Sequence, residues 1–258
     1  MDGQAWVVSV NMGYGHQRTA YALKSFAYND KILNANDYDG IPARDRQIWE
    51  GSRRFYEAIS KFKRTPLVGN AAFSLYDKLF QRIFDFYPRR DLSRATFLTN
   101  RNYDLIHKGW GKDLITKMSR RPLPLVTTFF IPAFMAEEFD YPNEIYLIVC
   151  DADVSRQWVA REPLHSRINY CAPNSRVYES MKLYGVPKNR LFLTGYPLPE
   201  SNISTGKGKD FWQMNIAKHD LAHRLGNLDP AGAYLSKYRQ LAEETVGELP
   251  KSAGRPLT

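Results

Sequence analysis

Cysteine is almost absent: Cys150 and Cys171 are the only two in 258 residues. They lack the spacing of a metal site or a redox motif. Both read as small buried side chains in a protein of a reducing compartment. Long apolar runs are missing as well. Stretches such as "PLPLVTTFFIPAFMA" are broken by prolines and fall short of the roughly 20 residues that a spanning helix needs. No signal-peptide pattern opens the chain. The cytoplasm is therefore the expected place, with peripheral attachment to the inner face of a membrane still open. Acidic residues are in deficit, 27 Asp and Glu against 36 Lys and Arg, for a net charge of +9. That balance points to an anionic partner: a phosphorylated substrate, a phospholipid surface or nucleic acid.

What is present alternates. "AWVVSV", Ala5 to Val10, is β-branched and uninterrupted, the pattern of a strand buried on both faces, and Gln17 to Ala27 carries helix formers. "KILNAND" reads as a short second strand. Arg44 to Met118 reads as largely helical. The strands "LPLVTTFF", "EIYLIVCD", "RINYCAP" and "RLFLTGYP" follow, with the helix "SRVYESMKLYG" between the last two, Ser175 as its N-cap and Gly185 as its stop. Alternating strands and helices predict an α/β fold, a Rossmann-like doubly wound parallel sheet with additional helices. Such sheets bind ligands beyond the carboxyl ends of their strands. That rule puts Gly13 to His16, Thr127 to Pro132, Asp151 to Trp158 and Gly195 to Pro199 on one rim.

Each rim segment carries a chemical and a structural reading. Gly13 and Gly15 let a ligand approach the main chain at the start of a helix, and a plain strand-to-helix turn explains them equally well. The stretch is neither GxGxxG, since position 18 is Arg, nor a Walker loop. His16 is a titratable ring that can take a proton from a hydroxyl near neutral pH, or it is a surface or capping histidine. Asp151 can bind sugar hydroxyls or orient a histidine. Asp153 can do the same or cap a helix. Trp158 stacks on a ligand or fills the core.

These segments, in this order, resemble the amino-terminal half of a GT-B glycosyltransferase of the monogalactosyldiacylglycerol synthase type, related to the peptidoglycan enzyme that adds N-acetylglucosamine to a lipid-linked intermediate. "MGYGH" resembles the family's glycine-rich turn, with Tyr14 where the family has glycine. "TTFFIPAF" resembles its strand leading to a proline, with Thr128 and Pro132. "CDADVSRQW" resembles its strand ending in Asp with a later tryptophan, and Gly195 and Pro197 take the place of its Gly-x-Pro. The resemblance implies that residues 1–200 hold the acceptor, often a lipid, with a helical insertion at about 41–118. Residues 201–258 would be a loop and helical segment leading to a donor-binding domain that is absent, which leaves these residues inactive alone. It also implies His16 as base, a nucleotide-sugar donor, the other named rim residues as donor or acceptor contacts, and no metal or cofactor in the chemical step.

Two further patterns invite a chemical reading. "HDLAH" sets His219 and His223 one turn apart, but a zinc-protease helix needs Glu after the first histidine and a third ligand, so an exposed pair is the better reading. "GKGK" follows no strand and reads as a flexible loop. Arg44 to Arg94 holds twelve basic residues against six acidic, with ten interleaved aromatics from Trp49 to Tyr87. Ile48, Phe55, Ile59 and Phe62, and then Leu75, Leu79, Ile83 and Phe86, recur at helical spacing and suit a core. The remaining aromatics suit anionic lipid or, less favoured, single-stranded nucleic acid. A non-catalytic module that binds through this face is the alternative to the enzyme.

Overall fold

A computed structural model of the chain describes residues 4–62 and 92–198. Six parallel strands form one sheet: β1 (Trp6–Ser9), β2 (Leu33–Asn34), β3 (Leu125–Thr127), β4 (Ile145–Ile148), β5 (Asn169–Ala172) and β6 (Leu191–Leu193), in the order β2-β1-β3-β4-β5-β6. The register runs Val8 opposite Leu33 and Thr127, Leu147 opposite Thr127 and Tyr170, and Cys171 opposite Phe192. The helices are α1 (Tyr14–Ala22), α2 (Ala43–Phe62), α3 (Phe97–His107), α4 (Lys112–Ser119), α5 (Phe130–Glu138) and α6 (Ser175–Leu183). The α/β, Rossmann-like architecture expected from the alternation is the one observed.

The apolar runs become strands because both faces of the sheet are covered. Val7 packs with Ala20 of α1 and with Ala27, while its neighbour Val8 points the other way into the main core with Leu125, Phe134 and Leu147. The observed strands are shorter than the apolar runs: "LPLVTTFF" keeps only Leu125–Thr127, and Phe130 already begins α5. That helix had no sequence signature, because residues 130 to 136 are all buried and a helix apolar on every side shows no 3.6-residue period. α1 starts at Tyr14, ahead of the expected Gln17, and ends at Ala22, after which Lys24–Phe26 and Tyr28–Asp30 turn in short 3-10 segments.

Helix ends follow local chemistry. The N-cap of α6 is Asn174, one residue before the expected Ser175, and its Oδ1 accepts from the Val177 N–H at 2.9 Å. Gly185 does stop this helix. Its φ is +96°, and the N–H groups of Gly185 and Val186 reach back to the carbonyls of Lys182 and Met181, a Schellman closure.

Of the basic aromatic stretch, α2 is described. Trp49 is largely buried: it is 3% exposed and packs edge-on against Trp110, ring centroids 4.8 Å apart. Ile48 packs against the core as the stripe predicts. Leu75 to Phe86, most of the remaining aromatics, "GKGK", His219, His223 and the loop and helical segment expected over 201–258 lie outside the described residues.

Gly111 begins α4 with φ +85°, and its N–H donates to Asp45 Oδ2 at 3.0 Å. A Cβ there would stand 2.2 Å from Met135 Sδ, inside the core. Gly111→Ala therefore combines a left-handed backbone with overpacking and is expected to lower unfolding stability by about 2–4 kcal/mol. Chemical denaturation checks this: a midpoint equal to that of the parent chain would contradict it.

Candidate functional site

The chain leaves β1 towards β2 on one side of the sheet and returns to β3 on the other, so a topological switch point lies between β1 and β3, where open α/β sheets form their crevice. The loop after β1 ends at Gly13, the N-cap of α1, with φ +153°. Gly15 lies in the first turn of that helix, with open space where a Cβ would stand, and Tyr14 is 76% exposed. His16, also in this first turn, leans across the switch point.

Its ring is held from several sides. Nδ1 lies 2.9 Å from the Thr128 carbonyl oxygen, which follows β3, and 3.0 Å from Cys150 Sγ, which follows β4. A carbonyl only accepts, so Nδ1 carries the proton in the neutral ring and Nε2 keeps its lone pair. Thr128 is itself pinned. Its N–H donates to the Val8 carbonyl at 3.1 Å, and its buried hydroxyl lies 3.1 Å from the His16 carbonyl and 3.3 Å from Ser9 Oγ. Phe129 packs edge-on against the imidazole with centroids 4.9 Å apart, and Trp158 lies tilted at 6.1 Å.

The electrostatics are opposed. Burial lowers the His16 pKa below its ordinary 6.5, while the Thr128 hydrogen bond and the nearby Asp151 carboxylate pull it back up. Asp151 keeps solvent-exposed surface, yet the protein crowded around it raises its carboxyl, with His16 acting against that rise. Burial, first, and the Asp151 charge push the Cys150 thiol up to about 12, so it stays protonated at neutral pH. The sulfur packs and donates weakly to the Thr128 carbonyl at 3.6 Å. It is no nucleophile in this state. Neutralising Asp151 removes the attraction that raises His16. Asp151→Asn is thus expected to lower the His16 pKa further, read from its imidazole resonances across a pH titration, and an upward shift would contradict the coupling.

The sequence-derived residues thus divide. His16 and Thr128 meet, and the Asp151 charge acts on the imidazole, with Gly13 at the N-cap and Gly15 in the first turn of α1. Trp158 is 5% exposed and forms the inner wall of the imidazole niche. Pro132 is buried in the first turn of α5, a packing position. Asp153 caps no helix: one oxygen accepts from the Val154 N–H at 2.9 Å and the other pairs with Arg176 at 2.8 Å. Gly195, with φ +81°, and the partly exposed Pro197 follow β6. Tyr196 between them was not singled out from sequence. Its hydroxyl donates to the Cys150 carbonyl at 2.6 Å and lies 3.4 Å from Thr19 Oγ1 of α1, so it ties the segment after β6 to the His16 niche. Its place inside Gly-x-Pro was the only signal.

Comparison of the chain with family models, with curated proteins and with solved structures finds no match.

Proposed function

We propose that the unit ending at Pro199 is the acceptor-binding half of a GT-B type glycosyltransferase, and that His16 is its base. The supporting observation is the commitment of the His16 Nδ1 proton to the Thr128 carbonyl, beside Asp151, at the sheet's switch point. In the step proposed, Nε2 takes the proton of an acceptor hydroxyl as its oxygen attacks the anomeric carbon of a nucleotide sugar. The bond to the nucleotide breaks and the diphosphate leaves with the electron pair. The Asp151 carboxylate favours the imidazolium formed, while burial keeps the resting ring neutral and able to accept. The donor would be held by a second domain of the same kind, and the acceptor would carry a free hydroxyl, as a diacylglycerol does. Among the described residues no helix is long and apolar enough to cross a membrane, so a lipid acceptor would be met at the bilayer surface.

The test is transfer of radiolabelled sugar from uridine-diphosphate sugars to diacylglycerol in anionic vesicles by the full-length product of the reading frame that contains these residues. Labelled glycolipid is expected. Vesicle binding without any transfer to diacylglycerol or other hydroxyl acceptors would instead support the non-catalytic module.

A further inference from the structure

A concavity lies at the same end of the sheet, with neither His16 nor Asp151 in its lining. It is a cavity of about 200 Å³ beyond the carboxyl ends of β1 and β2, with Asn11, Asn36 and Asp37 contributed by the strand ends. Arg46, Trp49, Glu50 and Arg53 of α2 complete its wall. Those four recur at i, i+3, i+4 and i+7, which sets them on one face of the helix. The framework is fixed. Asn36 Oδ1 accepts from the Asn11 N–H at 2.8 Å and its Nδ2 donates to the Asn11 carbonyl at 3.3 Å, which clamps the two strand ends together. The buried Trp49, wedged against Trp110, holds α2 in place.

The wall chemistry selects a class of ligand. Two carboxylates, Asp37 and Glu50, face two guanidiniums, Arg46 and Arg53, so the formal charge of the lining cancels. Phosphate entering there would meet the carboxylates, and an organic cation would meet the guanidiniums. Arg46 Nη2 stands 3.9 Å from Asp37 Oδ1, beyond hydrogen-bond reach, and Glu50 also pairs on the helix surface with Arg54 at 3.7 Å. A hydroxyl both donates and accepts, so adjacent hydroxyls can donate to the carboxylates while accepting from Arg and Asn donors. The cavity volume suits a single ring. We propose that this cavity binds a neutral polyhydroxylated ligand, a sugar or cyclic polyol, through Asp37, Glu50, Arg46 and Asn36.

Binding here is independent of sugar transfer at His16, so failure of the transfer assay leaves this inference standing. The test is an NMR titration of the isotope-labelled protein with methyl β-galactoside and myo-inositol, and separately with inorganic phosphate and choline. Saturable shifts of the Trp49 indole and the Asn36 side-chain amide are expected with at least one neutral polyol. At least about tenfold weaker binding is expected in Asp37→Asn and in Glu50→Gln, since each loses an acceptor for a ligand hydroxyl. Both positions are exposed, and an otherwise unchanged spectrum confirms that each variant is folded. Shifts from phosphate or choline alone, no shifts from either polyol, or polyol binding that survives in both variants would overturn the proposal.

Discussion

Replacing Arg156 with alanine is expected to lower unfolding stability by about 3–5 kcal/mol, from a lost buried hydrogen-bond network together with the cavity it leaves. Arg156 has no exposed surface. Its Nε donates to the Ser93 carbonyl at 2.8 Å, Nη1 to Val159 at 2.7 Å, and Nη2 to Ala160 at 3.0 Å and Arg161 at 3.2 Å. Deleting the guanidinium leaves these carbonyls without that donor inside the protein and opens a cavity beside them. Lysine does not replace it, because a single ammonium cannot span the planar fork. Arg156→Lys should therefore recover less than half of the loss in denaturant unfolding. The effect reaches the proposed site, since Arg156 anchors the loop that follows β4, and that loop carries Asp151 and Trp158. Stability within about 1 kcal/mol of the parent in Arg156→Ala would mean that the carbonyls find other donors or water.

His16→Ala is expected to lower sugar transfer by at least about a hundredfold, the scale of general-base loss, with the fold retained. The proposed base would work only as the neutral ring, so the rate should fall as pH drops through the His16 pKa. Burial holds that pKa below 6.5, which puts the midpoint of the acid limb below 6.5 as well. The same shift acts on stability. Below 6.5 the unfolded chain binds a proton that the folded ring resists, so His16 costs stability as pH falls from 6.5 towards its folded pKa, and no further once both states are protonated. Unchanged turnover in His16→Ala, or an acid limb above 6.5, would remove the imidazole from the step.

The sheet was legible because a strand buried on both faces writes itself as a continuous apolar run, and "AWVVSV" and "EIYLIVCD" do so plainly. α5 was not, since its burial on every side erases the period that marks a helix. His16, Thr128 and Asp151 could be placed on one rim by topology alone. The contact between His16 and Thr128 could not, because it depends on a backbone carbonyl, and carbonyl directions leave no trace in residue identity. Cys150 reads as a buried side chain and is one, yet its distance to the His16 ring follows from the register of β1, β3 and β4. Arg156 was invisible for the opposite reason: a charged residue in "DVSRQW" reads as surface, and only the fold of the loop gathers carbonyls around it.

The most direct measurement is the protonation state of the His16 imidazole nitrogens, followed by long-range proton–nitrogen NMR across pH. The account predicts a neutral ring protonated at Nδ1, with Nε2 the site that titrates, at a pKa below 6.5. A ring protonated at Nε2, or a pKa above 6.5, would contradict it.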